Sequence, residues 1–221
     1  MHIFDIIGPV MAGPSSSHTA GVVRIGNVVR NILGAEPAAA VVQFHGSFAA
    51  TYKGHGSDKA ITAGLMGFAP HDARIRDSLA IADEKGIRIK FETIDLPHAH
   101  PNTVAVNATA HDGHTASVLG ESVGGGNILI KKIGDTAVEY CGKYDTLIVS
   151  HEDTPGAVAL VANTLAEARI NIARMKVYRA RKGGDAIMII ETDGKISKKF
   201  EFIFQNKPNI HHATVIGALE G

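Results

Sequence analysis

The chain has 221 residues, and its 22 Lys+Arg are balanced by 22 Asp+Glu, so the formal net charge is zero. That balance gives no electrostatic footprint for nucleic acid or an anionic membrane, and no apolar run approaches the ~18 residues needed to span a bilayer. One cysteine, Cys141, excludes an internal disulfide framework and suits a reducing, cytoplasmic compartment.

In chain order, the opening residues MHIFDII lack the basic stretch and long apolar run of a secretory signal. Residues 9–21 read PVMAGPSSSHTAG. Behind them, Val22, Ile25, Val29, Ile32 and Leu33 recur near a 3.6-residue period and Gly34 follows as a stop, which predicts a helix over 17–33. AAVVQFH (39–45) reads as a strand. The glycines of GHGSDKA set His55 in a loop, and Ser57 or Asp58 caps a helix to 67. A further helix runs from Asp72 to Lys85, and IRIKFETI (87–94) alternates as a strand. In NTVAVNATAHDGHTASVLG, Asp112-Gly113 predicts a hairpin with a two-residue type I′ turn. GGGNILIKKI (124–133) adds a strand. Strands and helices in mixed order predict an α+β sheet with helices on one face.

From Tyr144 the pattern is tidier: a strand, a helix with Pro155 near its first turn and Val158, Val161, Leu165 and Ala168 on one face, then a hairpin around Gly183-Gly184. A helix over 196–205 and a strand in NIHHATVIG complete the order βαββαβ, a ferredoxin-like unit. The expected domains are 1–142 and 143–221.

Three motifs of the first segment carry chemistry. In GPSSSHTAG one serine suffices to cap a helix; three, with His18 and Thr19, supply spare hydroxyls at a helix start suited to a carboxylate or phosphate. In GHGSDKA the glycines allow close approach to the His55 imidazole, the usual group for proton transfer near neutral pH. In HPNT, Pro101 holds His100 and Asn102 beside a strand start, where imidazole and amide together grip a carboxylate or hydroxyl. Each motif also has a plain explanation in capping, an exposed loop or turn formation. Across the predicted type I′ turn His111 faces His114, a pair suited to solvent or to a shared metal, while His211 and His212 fall on opposite faces of a strand.

Asp153, Pro155 and Gly156, followed by Ile170-Asn171-Ile172, resemble the pattern of an ACT domain. The resemblance implies an amino-acid effector held near Asp153, Pro155, Gly156 and Asn171, and pairing of copies through these domains. A helix N-terminus there suits a carboxylate, and Asp153 suits either an ammonium group or a helix cap.

Together, GPSSSHTAG, KGHGSDKA, HPNT, Gly124–Gly126 and the ACT pattern resemble, over essentially the whole chain, the β subunit of bacterial iron–sulfur-dependent L-serine dehydratase. The resemblance implies conversion of L-serine to pyruvate and ammonia on a [4Fe–4S] cluster. A cluster takes three or four thiolates and this chain has one cysteine, so it cannot hold the cluster alone; the resemblance implies a separate α subunit that carries the cluster cysteines. It further implies that Ser15, Ser16, Ser17, His18 and Thr19 face that subunit and bind substrate, that His55 is catalytic, and that His100 and Asn102 contact substrate or effector. Ser57 stands where threonine is also plausible, a swap that keeps the hydroxyl. Two other readings stay open on sequence: a stand-alone amino-acid sensor without a catalytic partner, and a mononuclear metallohydrolase, for which no HExxH stands in the chain.

Overall fold

The computed structural model describes residues 15–219. Gly13 and Pro14 of the serine motif lie outside the described residues. The chain forms two compact units, one ending at Gly134 and the other beginning at Asp135. Among the described residues no helix is long and apolar enough to cross a membrane.

The first unit opens with a π-helical turn, Ser16–Gly21, that runs into α1 (Val22–Leu33). The helix predicted over 17–33 therefore starts as a wider coil. Its end is as predicted: Gly34 takes a left-handed conformation and its N–H bonds back to Arg30 and Asn31. Next come β1 (Pro37–Phe44), α2 (Gly46–His55) and α3 (Ser57–Leu65). The loop expected around His55 is thus the last turn of a helix. Only Phe48 is buried along α2, so no apolar stripe announced it. Gly56, with φ +72°, ends α2 and opens α3. The helix expected from Asp72 to Lys85 is shorter: a 3₁₀ turn, Ala73–Asp77, capped by Asp72, then α4 (Ser78–Glu84).

The strands β2 (Arg88–Thr93), β3 (Thr103–Ala110), β4 (Thr115–Gly124) and β5 (Asn127–Ile133) complete the unit. Their order with β1 is β2-β1-β3-β4-β5. β1 and β2 run parallel because the helices between them form the crossover; the other pairs are antiparallel. Val42, Phe44, Val104, Val106, Val118, Ile128 and Ile130 are buried on one face, as are Val22, Ile25 and Val29 of α1. The opposite face carries the more accessible Ala39, Val41, Asn107 and Thr109.

The β3–β4 connection corrects the predicted turn. Asp112 is not in the positive-φ region that type I′ requires, whereas Gly113 is, with φ +89°. Gly113 N–H donates to Ala110 O and Ala110 N–H to His114 O, which makes a type I turn closed by a glycine bulge. The driver is Asp112, whose carboxylate accepts the backbone N–H of His114 and lies 3.0 Å from its ring Nδ1. His114 is therefore tied to Asp112.

The second unit begins with β6 (Thr136–Tyr140), a strand the sequence pattern did not announce. Then follow β7 (Thr146–Glu152), α5 (Ala157–Glu167), β8 (Ile172–Arg179), β9 (Asp185–Thr192), α6 (Lys199–Gln205) and β10 (Ile210–Ile216). The last four strands form an antiparallel sheet in the order β10-β7-β9-β8, as the βαββαβ pattern predicts. Leu147, Val149, Met188, Ile190 and Val215 of the sheet share one core with Val161, Leu165, Phe200 and Phe204 of the helices. The buried face of α5 is Ala157, Val161 and Leu165; Val158, expected there, is one residue round the helix and exposed. β6 lies on the other side of this sheet, where Lys176 pairs with Glu139 at 2.9 Å. Covered on both sides, β9 is apolar throughout Ala186–Ile190.

Candidate functional site

Ser15 caps the π-helical turn: its hydroxyl accepts the backbone N–H of His18 at 3.3 Å and lies 3.3 Å from the His18 Nδ1. The opened coil leaves the His18 carbonyl to accept a hydrogen bond from the buried Ser57 hydroxyl, at 3.2 Å. Short π segments of this kind occur often at functional sites. Ser16 and Ser17 are half-buried, and no described residue takes their hydroxyls, which leaves them as donors at the helix start. Thr19 is 2% exposed and supports the turn from within rather than lining an open surface.

His55 reaches this turn from the end of α2. Its ring centroid is 4.7 Å from that of His18 at a 39° tilt, and His55 is exposed. The His18 ring also makes a T-shaped contact with Phe48, also from α2, at 5.0 Å between ring centroids. Thr51, one turn before His55, puts its hydroxyl 3.2 Å from the His18 Nε2. Burial, and secondarily the nearby His55, hold the His18 pKa below its ordinary value.

The HPNT loop holds the opposite end of α2. Pro101 O accepts the Phe48 N–H, and a Cβ on Gly46 would come within 2.7 Å of the same oxygen. His100 Nδ1 accepts the Asn102 N–H at 3.1 Å, and the His100 carbonyl accepts the Thr103 hydroxyl at 2.6 Å. Asn102 O accepts the Ser122 N–H. Ser122 is fully buried beneath Gly21, and its hydroxyl finds no partner among the described residues. The serine turn and HPNT thus share two supports, α2 and Ser122. The serine turn and His55 meet directly; His100 and Asn102 attach at the far end of a helix about 15 Å long. Sequence reasoning missed Thr51 and Phe48, whose spacing of four and seven residues from His55 becomes informative only once α2 is known to be helical.

A cleft of about 670 Å³ beside α4 and the β1–β2 edge is lined by Leu79, Ala82, Arg88, Lys90, Asn107 and Thr109 among others, and by none of these motif residues.

In the second unit, Asp153 caps no helix. Its carboxylate accepts hydrogen bonds from the Gly183 N–H at 3.0 Å and from the Arg179 guanidinium at 2.7 Å, which in that order hold its pKa below the usual carboxylate value. Gly156, not Asp153, is the N-cap of α5, and Pro155 is exposed beside it. Asn171 bonds to Asp193 at the other end of β8, so the structure does not bring Asn171 to Asp153 within one copy.

A [4Fe–4S] cluster needs several thiolates. Cys141 is the one cysteine of the chain, and no group of three or more His, Cys, Asp or Glu among the described residues is arranged to hold a metal. The residues of this chain do not fit such a cluster.

The fold defines a two-unit α+β chain ending in an ACT domain, and the ACT family model matches residues 146–199. The model for the serine dehydratase beta chain matches residues 2–85. The chain is 44% identical to the probable L-serine dehydratase beta chain of Bacillus subtilis (strain 168) over 97% of each chain, and 34% identical to the L-serine dehydratase beta chain of Peptoniphilus asaccharolyticus over 90% of each. It belongs to the L-serine dehydratase beta-chain family. Part of it, 59%, is also 28% identical to a quarter of the D-3-phosphoglycerate dehydrogenase of Bacillus subtilis (strain 168).

Proposed function

We propose that this chain is the β half of a two-chain L-serine ammonia-lyase that converts L-serine to pyruvate and ammonia, with a separate α subunit carrying the [4Fe–4S] cluster. The observation that carries this reading is likeness along nearly the full length of both chains to a named L-serine dehydratase beta chain. The single cysteine supports the division of labour.

The reaction removes the α-proton of serine and expels its hydroxyl as water; the aminoacrylate formed tautomerises and hydrolyses to pyruvate and ammonia. On this reading Ser16 and Ser17 offer hydroxyls to the substrate carboxylate, helped by the positive end of the helix dipole. His55, exposed against His18 of the same turn, moves a proton at its imidazole. His18, backed by Ser15 and Phe48, supports His55 from behind. His100 and Asn102 hold the far end of α2 and face substrate or effector at the subunit boundary. Asp153, Pro155, Gly156 and Asn171 serve an amino-acid effector of the ACT domain, shared between paired copies, in a cytoplasmic enzyme.

The test is anaerobic mixing with the α partner: serine-dependent pyruvate should appear with both chains present and not with this chain alone. Full activity of the isolated chain would overturn the half-enzyme reading.

A further inference from the structure

The hydroxyl of Thr51 has a single proton, and it donates that proton to Ser47 O at 2.7 Å. Toward the His18 Nε2, 3.2 Å away, Thr51 therefore acts as acceptor, and Nε2 carries the hydrogen. The Nδ1 of His18 is then the unprotonated nitrogen, and it accepts from the Ser15 hydroxyl, whose lone pairs also take the His18 N–H. Both ring nitrogens are committed, and Phe48 and His55 flank the ring. Thr51 and His55 are four residues apart on α2 and so share one face, with His18 held between a hydroxyl and an imidazole. Burial of His18, which disfavours its cation, agrees with a neutral ring.

We propose that Thr51 is a positioning residue of the serine dehydratase reaction: its hydroxyl fixes His18 as the Nε2–H tautomer, and the fixed His18 ring sets the placement of the His55 imidazole. This rests on the reading that His55 acts on the substrate. Thr51 itself touches neither substrate nor reacting atoms. Outer groups that set the tautomer of a metal-bound imidazole typically change activity by about 10–100-fold when removed, and the same scale is expected for the orienting role here.

The test has two arms. In the full-length chain labelled with ¹⁵N-histidine and held at alkaline pH, long-range ¹H–¹⁵N spectra should show His18 with Nε2 protonated. Thr51→Val removes the acceptor and should shift His18 toward the Nδ1–H form, while Thr51→Ser should keep the wild-type pattern. In the complex with the α partner, Thr51→Val should lower kcat by about 10–100-fold with little change in KM, and Thr51→Ser should recover most of it. Thr51→Ala gives the same two readouts with a smaller side chain if the valine variant does not fold. An unchanged tautomer in Thr51→Val, or equal kcat for the serine and valine variants, overturns the proposal. Wild-type turnover in His55→Ala would instead remove the catalytic reading of His55, and the spectra would still report whether Thr51 sets the His18 tautomer.

Discussion

The ring centroids of His18 and His55, contributed by the serine turn and by the end of α2, stand 4.7 Å apart, and His18 also meets the Ser15 and Thr51 hydroxyls and the Phe48 ring. Two imidazolium charges at that separation repel, and His18 is the more deeply placed. Its pKa is lowered by burial first and by His55 second, so the His18 ring keeps its neutral form more readily than a free imidazole. Replacing His55 with glutamine removes the second cause and should raise the His18 pKa; a histidine NMR titration of the full chain reads it. No change would mean that the rings do not sense each other.

The same shift links stability to pH. His18 binds a proton less readily when folded than when unfolded, so below the unfolded value of about 6.5 the unfolded chain holds more protons. Its contribution to stability is complete above that pH and is lost as pH falls toward the folded pKa. Urea midpoints of the wild type should decline on acidification through this window, and those of His18→Gln should decline less. Parallel curves for the two proteins would refute the linkage.

On the proposed reading, in which His55 moves a proton beside an α partner, His55→Ala should reduce turnover by roughly 10²–10⁴, the usual contribution of a positioned proton-transfer group. Pyruvate formation under saturating serine measures it. Retained wild-type turnover would assign His55 a structural role only.

Legibility in the sequence followed the strength of the hydrophobic signal. α1 and the βαββαβ unit were readable because their buried residues repeat with a helical or strand period and end at glycines such as Gly34. α2 was hidden because Phe48 alone is buried along it, and the glycines beside His55 read as a loop when Gly56 is a helix cap. β6 was hidden because TAVEY is short and its Val138 and Tyr140 are buried against a sheet that only the tertiary structure supplies. Of the candidate residues, His18 of the serine turn and His55 were legible as residue types, and the structure brings their rings together. Thr51 was not, because its meaning depends on a helical spacing of four from His55. Asp153 and Asn171 read as one motif but sit at opposite ends of β8.

Gly21 leaves room for Ser122. A Cβ there would fall 2.1 Å from the Ser122 Oγ and 2.9 Å from its Cβ. Gly21→Ala should cost about 1–3 kcal/mol by overpacking. Adding Ser122→Gly should return part of that, since it removes both colliding atoms. Ser122→Ala alone deletes a buried hydroxyl without a partner among the described residues and should leave stability unchanged or raise it. Thermal melts of these variants and of Ser122→Gly alone decide; additive losses in the double variant would mean that the two residues are not in contact.

Asp153 joins the loop after β7 to the tip of the β8–β9 hairpin through Arg179 and the Gly183 N–H. The Gly183 hydrogen bond is the larger cause of its lowered pKa, followed by Arg179. Asp153→Ala should therefore release the hairpin tip, with faster amide exchange at Gly183 and a changed response to any amino-acid effector. Asn171→Ala, which breaks only the link to Asp193 at the far end of β8, should leave Gly183 exchange as it is, because distant sites without shared partners act independently. The fold predicts the sign with pH as well: a carboxylate with a depressed folded pKa holds the tip above its unfolded value of about 3.9 and releases it as pH falls through the folded one. Hydrogen exchange on the three proteins tests this. If Asn171→Ala loosened Gly183 as much as Asp153→Ala, the tip would be held by the sheet as a whole and not by the Asp153 carboxylate.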